Sequence, residues 1–471
     1  MSHALQTSGA TKPPGLADWL ALAALALAQF MLILDVTVIN VALPDLSRDL
    51  GLSAASAGWA IAAYAIPFGG LMLLGGRSAD LFGSRRVFLI GLLLFTAASL
   101  AAGFASSATT LIGARALQGV GAALLSPSAL ATLTTRFTGE NRHRALGVWA
   151  AIGGVGAAVG VLLGGVLTDG PGWRWIFFVN VPVGVLVALV VPFLVPAVAP
   201  SAAGRRLDWV GGATITFAMA SFTYGITNAR PDAGLVTWLV PLLAAAVLLL
   251  AFVVVERRLA DPLIDLGVFG RQPIRAGIFM MLLASVLLVG GFFVMSFVLQ
   301  ARLQWSPLTT GLAFLPVALG TLVGAHLGGT LVLKVGGRAV GSLAFAIAAA
   351  GFGLATMQFD TAVLLITGIS IAALGLGGAF VAATTTALSN VAHEEAGVMS
   401  GVINTFHEVG GALGVAAMSS LAASSLIAPA IDSGFELGLG VWAVVALASA
   451  GTATLLVPPG KPAAGTPRFA H

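Results

Sequence analysis

Three formally charged side chains stand out within the long apolar stretches of this 471-residue sequence. They are Asp35 in LDVTVINVALP, Arg115 in ARALQGVGAALLSP and Glu408 in AGVMSGVINTFHEVGGALGVA. An apolar surrounding favours the protonated form of a carboxyl group, so Asp35 is a candidate proton carrier. Arg115 must find acceptors nearby, and it could hold an acid in its ionised form until the protein changes shape. The chemistry these residues suggest is proton exchange linked to movement.

Polar side chains flank Asp35 and Arg115. Thr37 and Asn40 follow Asp35 and can hydrogen-bond across helices, either in a cavity or for packing alone. Gln118 lies three residues after Arg115, on the same side of a helix, and offers it an acceptor. We predict that Thr37, Asn40 and Gln118 line a substrate cavity beside the proton site. The alternatives are a structural acid near a helix end and a buried structural arginine.

His407 and Glu408 are adjacent in the last of these segments. Glu408 shares a helix face with Asn404 and Gly401, which precede it by four and seven residues. His407 points about 100° away from that face. Both His407 and Glu408 can carry a proton or bind a cationic substrate, and Asn404 is predicted to join the cavity. The alternative for the pair is a local structural element.

The segment GGRSADLFGSRR combines glycines with opposite charges. Gly76 and Gly83 allow close approach of the backbone. Asp80 can pair with Arg85 or Arg86, or with a helix N-terminus. We predict a gating loop that latches two parts of the molecule at one membrane surface. A simple basic turn is the alternative.

A glycine stripe marks another apolar stretch. Gly156, Gly160 and Gly164 recur every four residues, and Gly165 follows directly. Such a face lets a second helix approach closely. It predicts either a contact that slides during function or ordinary tight packing.

These residues are set in a chain that is 58% hydrophobic and only 8% charged, with a mean hydropathy of +1.02 and no Cys. A soluble domain averages about 25% charged residues, so this chain cannot cover a water-exposed surface. The high hydropathy, the lack of a Gly-X-Y period and the lack of thiols exclude disordered, collagen-like and disulfide-stapled chains. A polytopic helical membrane protein remains.

Motifs of soluble enzymes are missing from the sequence. It contains no GxxxxGK[ST] phosphate loop, no Cys/His metal-ligand spacing and no GxSxG elbow in a strand-turn-helix context. We therefore expect no enzymatic activity, no metal and no cofactor. An ion gradient or the gradient of a substrate must supply the energy for any transport.

The predicted fold class is an all-α polytopic membrane protein with fourteen transmembrane helices. Each apolar stretch is long enough to cross a hydrocarbon core of about 30 Å. The stretches are 18–43, 57–76, 86–105, 109–130, 144–168, 173–196, 208–229, 236–256, 273–300, 307–332, 338–357, 361–386, 398–421 and 437–458.

The orientation follows from the basic residues, because Lys and Arg concentrate in cytoplasmic loops. Of the 22 Lys and Arg residues, Arg115 lies inside a helix and only Arg48, Arg174, Arg230 and Arg302 fall in odd-numbered loops. The rest lie in even-numbered loops and the two ends. We predict a multi-pass plasma-membrane protein with both termini in the cytoplasm. The calculated pI of about 10.1 thus reflects the basic residues of the predicted cytoplasmic loops and does not indicate binding to nucleic acid.

An internal repeat divides the chain. Gly75, Gly83 and Arg85 match Gly328, Gly336 and Arg338 at an offset of 253, and later glycines match at 254. Duplicated helix sets are common in transporters. The predicted parts are an N-terminal tail at 1–17, a six-helix bundle at 18–196, a linker with inserted helices 7 and 8 at 197–272, a second six-helix bundle at 273–458 and a C-terminal tail at 459–471.

With these segments in view, the sequence resembles the major facilitator superfamily, and within it the fourteen-helix drug:proton antiporter group. LDVTVINVALP is similar to the helix-1 motif of that group, and WRWIFFVNVPVG to its helix-6 entry. GGRSADLFGSRR and RALQGVGAA resemble the superfamily motifs of loop 2–3 and helix 4. Two features depart from the pattern. Ala157 and Val161 stand where the helix-5 motif usually has prolines, and His407-Glu408 where helix 13 usually has Arg-Gln.

The resemblance implies a proton-coupled antiporter that exports small amphipathic or hydrophobic compounds, such as drugs or antibiotics, by alternating access. Asp35, Arg115, Glu408 and His407 would then couple protons to movement. The expected partners are the substrate, protons and the lipid bilayer, with no nucleic acid and no obligatory protein partner. The alternatives are a symporter or uniporter that imports a metabolite on the same fold, and a protein that has lost transport.

Overall fold

The computed structural model describes residues 15–197, 207–229, 234–359, 361–389, 391, 395–428 and 430–460, and every regular element within them is helical. Parts of the predicted tails and linker, at 1–14, 198–206, 230–233 and 461–471, lie outside the described residues. The long helices are α1 (Leu16–Asp49), α2 (Ala54–Phe82), α3 (Ser84–Gly103), α4 (Ala108–Arg136), α5 (Gly139–Asp169), α6 (Trp175–Leu194), α7 (Trp209–Thr227), α8 (Leu235–Arg258), α9 (Gln272–Arg302), α10 (Pro307–Val335), α11 (Gly337–Ala355), α12 (Ala362–Leu388), α13 (Ala396–Leu421) and α14 (Ser433–Leu456).

Twelve helices of the described chain are long and apolar enough to cross a membrane. The two other long helices, α7 and α13, are less apolar. The predicted all-α, multi-span architecture is therefore confirmed for the described residues, whereas the count of fourteen spans stays a prediction.

Several helices run past their predicted bounds: α2 ends at Phe82 and α4 at Arg136, six residues later than predicted in each case. α1 was expected to end at residue 43, but it continues through Pro44 to Asp49, so Asp35 lies well inside the helix. Beyond Pro44 the helix is polar, and Asp45 pairs with Arg48 at 2.7 Å. α6 is interrupted at Val179 and resumes at Asn180–Leu194.

One end of the helix bundle gathers the two ends of the described chain and the even-numbered connections. Arg136 at the end of α4 pairs with Asp18 at 2.7 Å, and Arg85 donates to the carbonyl of Val195 after α6 at 3.0 Å. We call it the basic end, because most of the Lys and Arg residues belong to these connections.

The opposite end gathers the odd-numbered connections. Arg174 pairs with Asp49 at 2.7 Å, and Arg302 pairs with Asp432 at 2.9 Å. The helices therefore alternate in direction as the charge pattern predicts. Which end faces the cytoplasm stays a prediction.

α2 and α10 are built alike. Ser53 and Ser306 cap their first turns, each accepting a backbone N–H at 3.2 Å, and Gly83 and Gly336 follow their last turns with a φ of 86°. Both pairs are 253 residues apart. Moreover, α2 and α3 pack on α4 as α10 and α11 pack on α12. These paired features are the ones that a duplication of the chain predicts, and the division into two bundles stays a prediction.

The two predicted halves meet mainly along two seams, where α2 packs on α13 and α5 packs on α10, and α1 makes a smaller contact with α9. At the first seam the Thr405 hydroxyl donates to the carbonyl of Gly69 at 3.0 Å. At the second, a Cβ on Gly165 would stand 3.0 Å from the Cα of Leu308. The inserted helices α7 and α8 pack on each other, and α7 also contacts α2 and α13.

The glycine stripe of α5 packs against two neighbouring helices. Gly156, Gly160 and Gly164 face α1, whereas Gly165 faces α10. A Cβ on Gly160 would overlap the side chain of Thr37 on α1. The stripe therefore sets how closely α5 approaches the helix that carries the candidate proton site.

Gly160→Ala is expected to lower stability by about 1–3 kcal/mol, because the added methyl must push α1 away. Gly153→Ala in the same helix is the matched control, since nothing lies within 4 Å of its Cβ position. Thermal unfolding of the purified proteins in detergent measures both. Equal melting temperatures for Gly160→Ala and Gly153→Ala would contradict the close contact between Gly160 and Thr37.

Candidate functional site

A buried ion pair joins α1 to α4. Asp35 is 2% exposed and Arg115 is 1% exposed, and Nη1 of Arg115 donates to Oδ2 of Asp35. The other carboxylate oxygen accepts from Nδ2 of Asn180 and Nε2 of Gln118, both at 3.0 Å. The carboxyl group of Asp35 thus accepts hydrogen bonds from three side chains, those of Arg115, Gln118 and Asn180.

Arg115 has further partners besides the carboxylate. Its Nε donates to the carbonyl of Ala60 at 3.0 Å, and its Nη1 donates to Oε1 of Gln118 at 3.0 Å. Its guanidinium carbon lies 4.5 Å from the ring centroid of Tyr64 and 5.9 Å from that of Phe177. Aromatic faces and fixed acceptors together stabilise the cation without water.

The site draws on residues that the sequence did not single out. Ser99 on α3 accepts from Nε2 of Gln118 at 2.7 Å, and Asn180 starts the second segment of α6. Asn180 lies in the apolar segment WRWIFFVNVPVG. Its polar amide in that segment could have marked it as a candidate site residue. Ser99 carried no comparable signal, because serines are common in apolar helices.

Helix α2 borders both predicted proton sites. Tyr64 is 1% exposed, its ring centroid lies 4.5 Å from the guanidinium carbon of Arg115, and its hydroxyl has no hydrogen-bond partner among the described residues. Gly69, five residues later on α2, faces Glu408 of α13. The same helix therefore contacts the ion pair and the second predicted site.

Thr37 and Asn40 are buried on α1, but they bond to their own helix. The Thr37 hydroxyl donates to the carbonyl of Ile33 at 3.0 Å, and Nδ2 of Asn40 donates to that of Val36 at 3.0 Å. Of the predicted cavity residues, the structure brings Gln118 to Asp35. In the described part of the chain, Thr37 and Asn40 make no hydrogen bond to it.

His407 and Glu408 point to different neighbours. A Cβ on Gly69 of α2 would lie 2.9 Å from Cβ of Glu408, so Glu408 faces the seam between the halves. The His407 ring instead meets Phe380 of α12 edge-on, with the ring centroids 5.3 Å apart. Asn404 is exposed. The adjacent pair is therefore divided between two surroundings.

The segment predicted as a gating loop lies at the basic end, but the prediction of a loop is wrong for most of it. Gly76 and Asp80 belong to α2, which runs to Phe82, and Arg85 and Arg86 belong to the first turn of α3, so only Gly83 lies outside a helix. Gly83 joins α2 to α3 with a φ of 86°, a conformation that favours glycine. Gly76 lies against Pro127 of α4, while Asp80 and Arg86 are exposed. The segment therefore presents part of its charge at the surface.

Two arginines anchor this segment to different parts of the molecule. Arg85 donates to the carbonyl of Val195, at the end of α6. Arg77, which the sequence did not single out, donates to the carbonyl of Pro262 after α8 at 3.1 Å. The segment thus connects its own half to the inserted helices.

A metal site finds no support here. The part of the chain that the structure describes holds no group of three or more His, Cys, Asp or Glu side chains that could bind a metal ion.

Comparison with known proteins gives a family match over most of the chain. The family described as Major Facilitator Superfamily matches residues 25–415. The puromycin resistance protein of Streptomyces alboniger is 41% identical over 91% of this chain and 86% of its own length. The cephamycin export protein of Amycolatopsis lactamdurans is 39% identical over 84% of this chain and 83% of its own length.

A solved structure has the same fold. It is a bacterial homologue of the human lysosomal transporter Spinster in an inward-facing and occupied conformation. The two chains superpose with a TM-score of 0.65 at 16% identity, over 94% of this chain and 97% of the other.

Removing one partner of the buried pair is expected to destabilise the protein more than removing both. Arg115→Met leaves the Asp35 carboxylate buried without its cation, at a cost of about 3–5 kcal/mol, whereas Asp35→Leu with Arg115→Met should recover much of that loss. Thermal unfolding in detergent measures the difference. Arg48→Met, which breaks the exposed pair with Asp45, should cost less than about 1 kcal/mol. A double variant no more stable than Arg115→Met alone would contradict the prediction.

Proposed function

Because the chain belongs to the major facilitator superfamily, we propose that it exports small amphipathic or hydrophobic compounds, antibiotics among them, in exchange for protons. The observation that carries this proposal is the ion pair of Asp35 and Arg115, a carboxyl group and its cation in the buried interior of the N-terminal half. The names of the two relatives, for puromycin resistance and cephamycin export, support the direction and the substrate class.

Proton exchange at Asp35 acts through its partners. A proton that arrives from outside neutralises the carboxylate and leaves Arg115 without an anionic partner. A buried cation without its counter-ion is costly, and this cost favours a shift of α4 against α1. Release of the proton on the cytoplasmic side restores the pair, and the cycle can repeat.

Glu408 is proposed as a second site for a proton or a cationic substrate. Its position opposite Gly69, on the seam between the halves, makes its surroundings depend on how the halves are arranged. His407 could exchange a proton from the neighbouring face, beside Phe380. Asn404, which is exposed on the same helix, would offer hydrogen bonds to a substrate.

The fourteen-helix antiporter group is the proposed subgroup, with α7 and α13 as membrane spans. They have 19 and 26 residues, enough for a core of about 30 Å. The bundles at 18–196 and 273–458, joined by 197–272, would rock about the two seams to alternate access.

The basic end is proposed to face the cytoplasm, with both termini there and the protein in the plasma membrane. The segment with Gly76, Asp80, Gly83, Arg85 and Arg86 would then latch the inner gate. Substrate, protons and lipid are the proposed partners, without nucleic acid or an obligatory protein partner. The scarcity of charge in the described interior suits a hydrophobic or weakly cationic substrate better than an anion.

Import of a metabolite is the second candidate function. It is favoured by Ala157 and Val161, which replace the prolines usual in the helix-5 motif of antiporters. Vesicles with an imposed pH gradient distinguish the two functions. An antiporter moves the substrate in the direction opposite to the proton flow, whereas a symporter moves the substrate in the same direction as the protons.

Asp35→Asn is expected to abolish proton-dependent efflux while substrate binding persists, because an amide cannot exchange the proton. Asp45→Asn on the same helix is the control, since Asp45 lies beyond Pro44 and pairs with Arg48. Efflux of a fluorescent amphipathic dye from cells, and binding of the same dye to purified protein, measure the two effects. Normal efflux by Asp35→Asn would rule out the proposed coupling.

Glu408→Gln is expected to reduce export of a cationic dye by about tenfold and to affect an uncharged compound less, because the variant loses the attraction of the carboxylate for a cation. Glu436→Gln on α14, an exposed glutamate, is the matched control. Efflux rates of the two compounds from one cell preparation give the comparison. An equal loss for both compounds would argue for a structural Glu408.

A further inference from the structure

Pro44 leaves one backbone acceptor without its helical donor near the C-terminal end of α1. A proline has no N–H, so it cannot donate to the carbonyl four residues earlier, which is that of Asn40. Asn40 is buried. A carbonyl buried away from water needs a donor from elsewhere.

The donor comes from the other half of the molecule. The hydroxyl of Ser296 on α9 donates to the carbonyl of Asn40 at 2.5 Å. Nε2 of Gln300, one turn later, donates to the carbonyl of Val41 at 2.7 Å. Ser296 and Gln300 are 0% and 2% exposed, so water does not compete for these bonds.

The local shape of α9 brings Gln300 to this contact. The helix ends in a π-helical turn at Val298–Arg302, in which the N–H of Leu303 bonds to the carbonyl of Val298 at 2.9 Å. Such widened turns are rare and are frequently found at functional sites.

The contact is incompletely satisfied. Oδ1 of Asn40 and Oε1 of Gln300 are buried and have no hydrogen-bond partner among the described residues. Unpaired buried oxygens raise the free energy of the state in which α1 and α9 are in contact. Separating these two helices therefore costs less free energy than it would if every oxygen were paired.

We propose that Ser296 and Gln300, with the carbonyls of Asn40 and Val41, form a clasp that holds the two halves together at the end opposite the basic loops. Release of the clasp is the step that opens this end. The inference rests on the proposed function for the statement that this end is extracellular. Ser296 and Gln300 are positioning residues in the transport cycle, acting through helix α1.

Single-cysteine labelling tests the clasp, because the natural chain contains no Cys. Ser419→Cys places one thiol on α13, at a fully buried position beside Gly58 of α2 on the seam. A membrane-impermeant maleimide added to intact cells should react slowly in this background. Adding Ser296→Ala or Gln300→Leu should speed the reaction about fivefold, the effect of one net hydrogen bond on an opening equilibrium.

Ser285→Ala is the matched control. Ser285 is also a buried serine of α9 that donates to a carbonyl, that of His407 at 2.6 Å, but this bond lies within the C-terminal half. It should leave the labelling rate unchanged. Ser296→Thr keeps the hydroxyl and should restore slow labelling, which separates loss of the bond from a folding defect.

The proposal is overturned if the thiol of Ser419→Cys reacts as slowly with Ser296→Ala or Gln300→Leu added as without them. It is also overturned if Ser285→Ala speeds the reaction as much as they do. Faster labelling only in inside-out vesicles would overturn the assigned direction of opening. The labelling needs neither substrate nor a proton gradient. Failure of Asp35→Asn to block efflux would therefore remove the proposed function and leave the labelling result standing.

Discussion

A polar group in a membrane interior must find its partner inside the protein, and the rest of the structure depends on this constraint. Asp35 and Arg115 meet it by pairing with each other and by recruiting Gln118 and Asn180. Helices α1, α4 and α6 are tied together by these bonds. Any shift of one helix must supply new partners to the others, so a change of charge at Asp35 has consequences beyond its own helix.

The same constraint acts a short distance along α1. Pro44 deprives the Asn40 carbonyl of its helical donor, and Ser296 in the other half supplies one. Asp35 and Asn40 are five residues apart, which is about 7.5 Å along a helix. One helix therefore carries Asp35 of the buried ion pair and the contact with the second half. Under the proposed function, a change of charge at Asp35 would reach the interface between the halves through this helix.

Small residues make these approaches possible. Gly160 lets α5 lie against Thr37, and Gly69 lets α13 place Glu408 against α2. Tyr64, on the same helix as Gly69, lies beside Arg115. The sequence contained each of these residues, but only the spacing of the glycines indicated close packing. The partners of the glycines depend on the arrangement of distant helices.

The sequence by itself determined the helices, their alternating direction and the few charges inside them, because hydropathy, glycine spacing and loop charge are local properties of the chain. It also contained the repeat, seen again in Gly83 and Gly336. The tertiary structure decided which polar groups meet. Asn180 reaches Asp35 across 145 residues, and His407 and Glu408 turn to different helices. No local pattern encodes such contacts, since they depend on how whole helices pack.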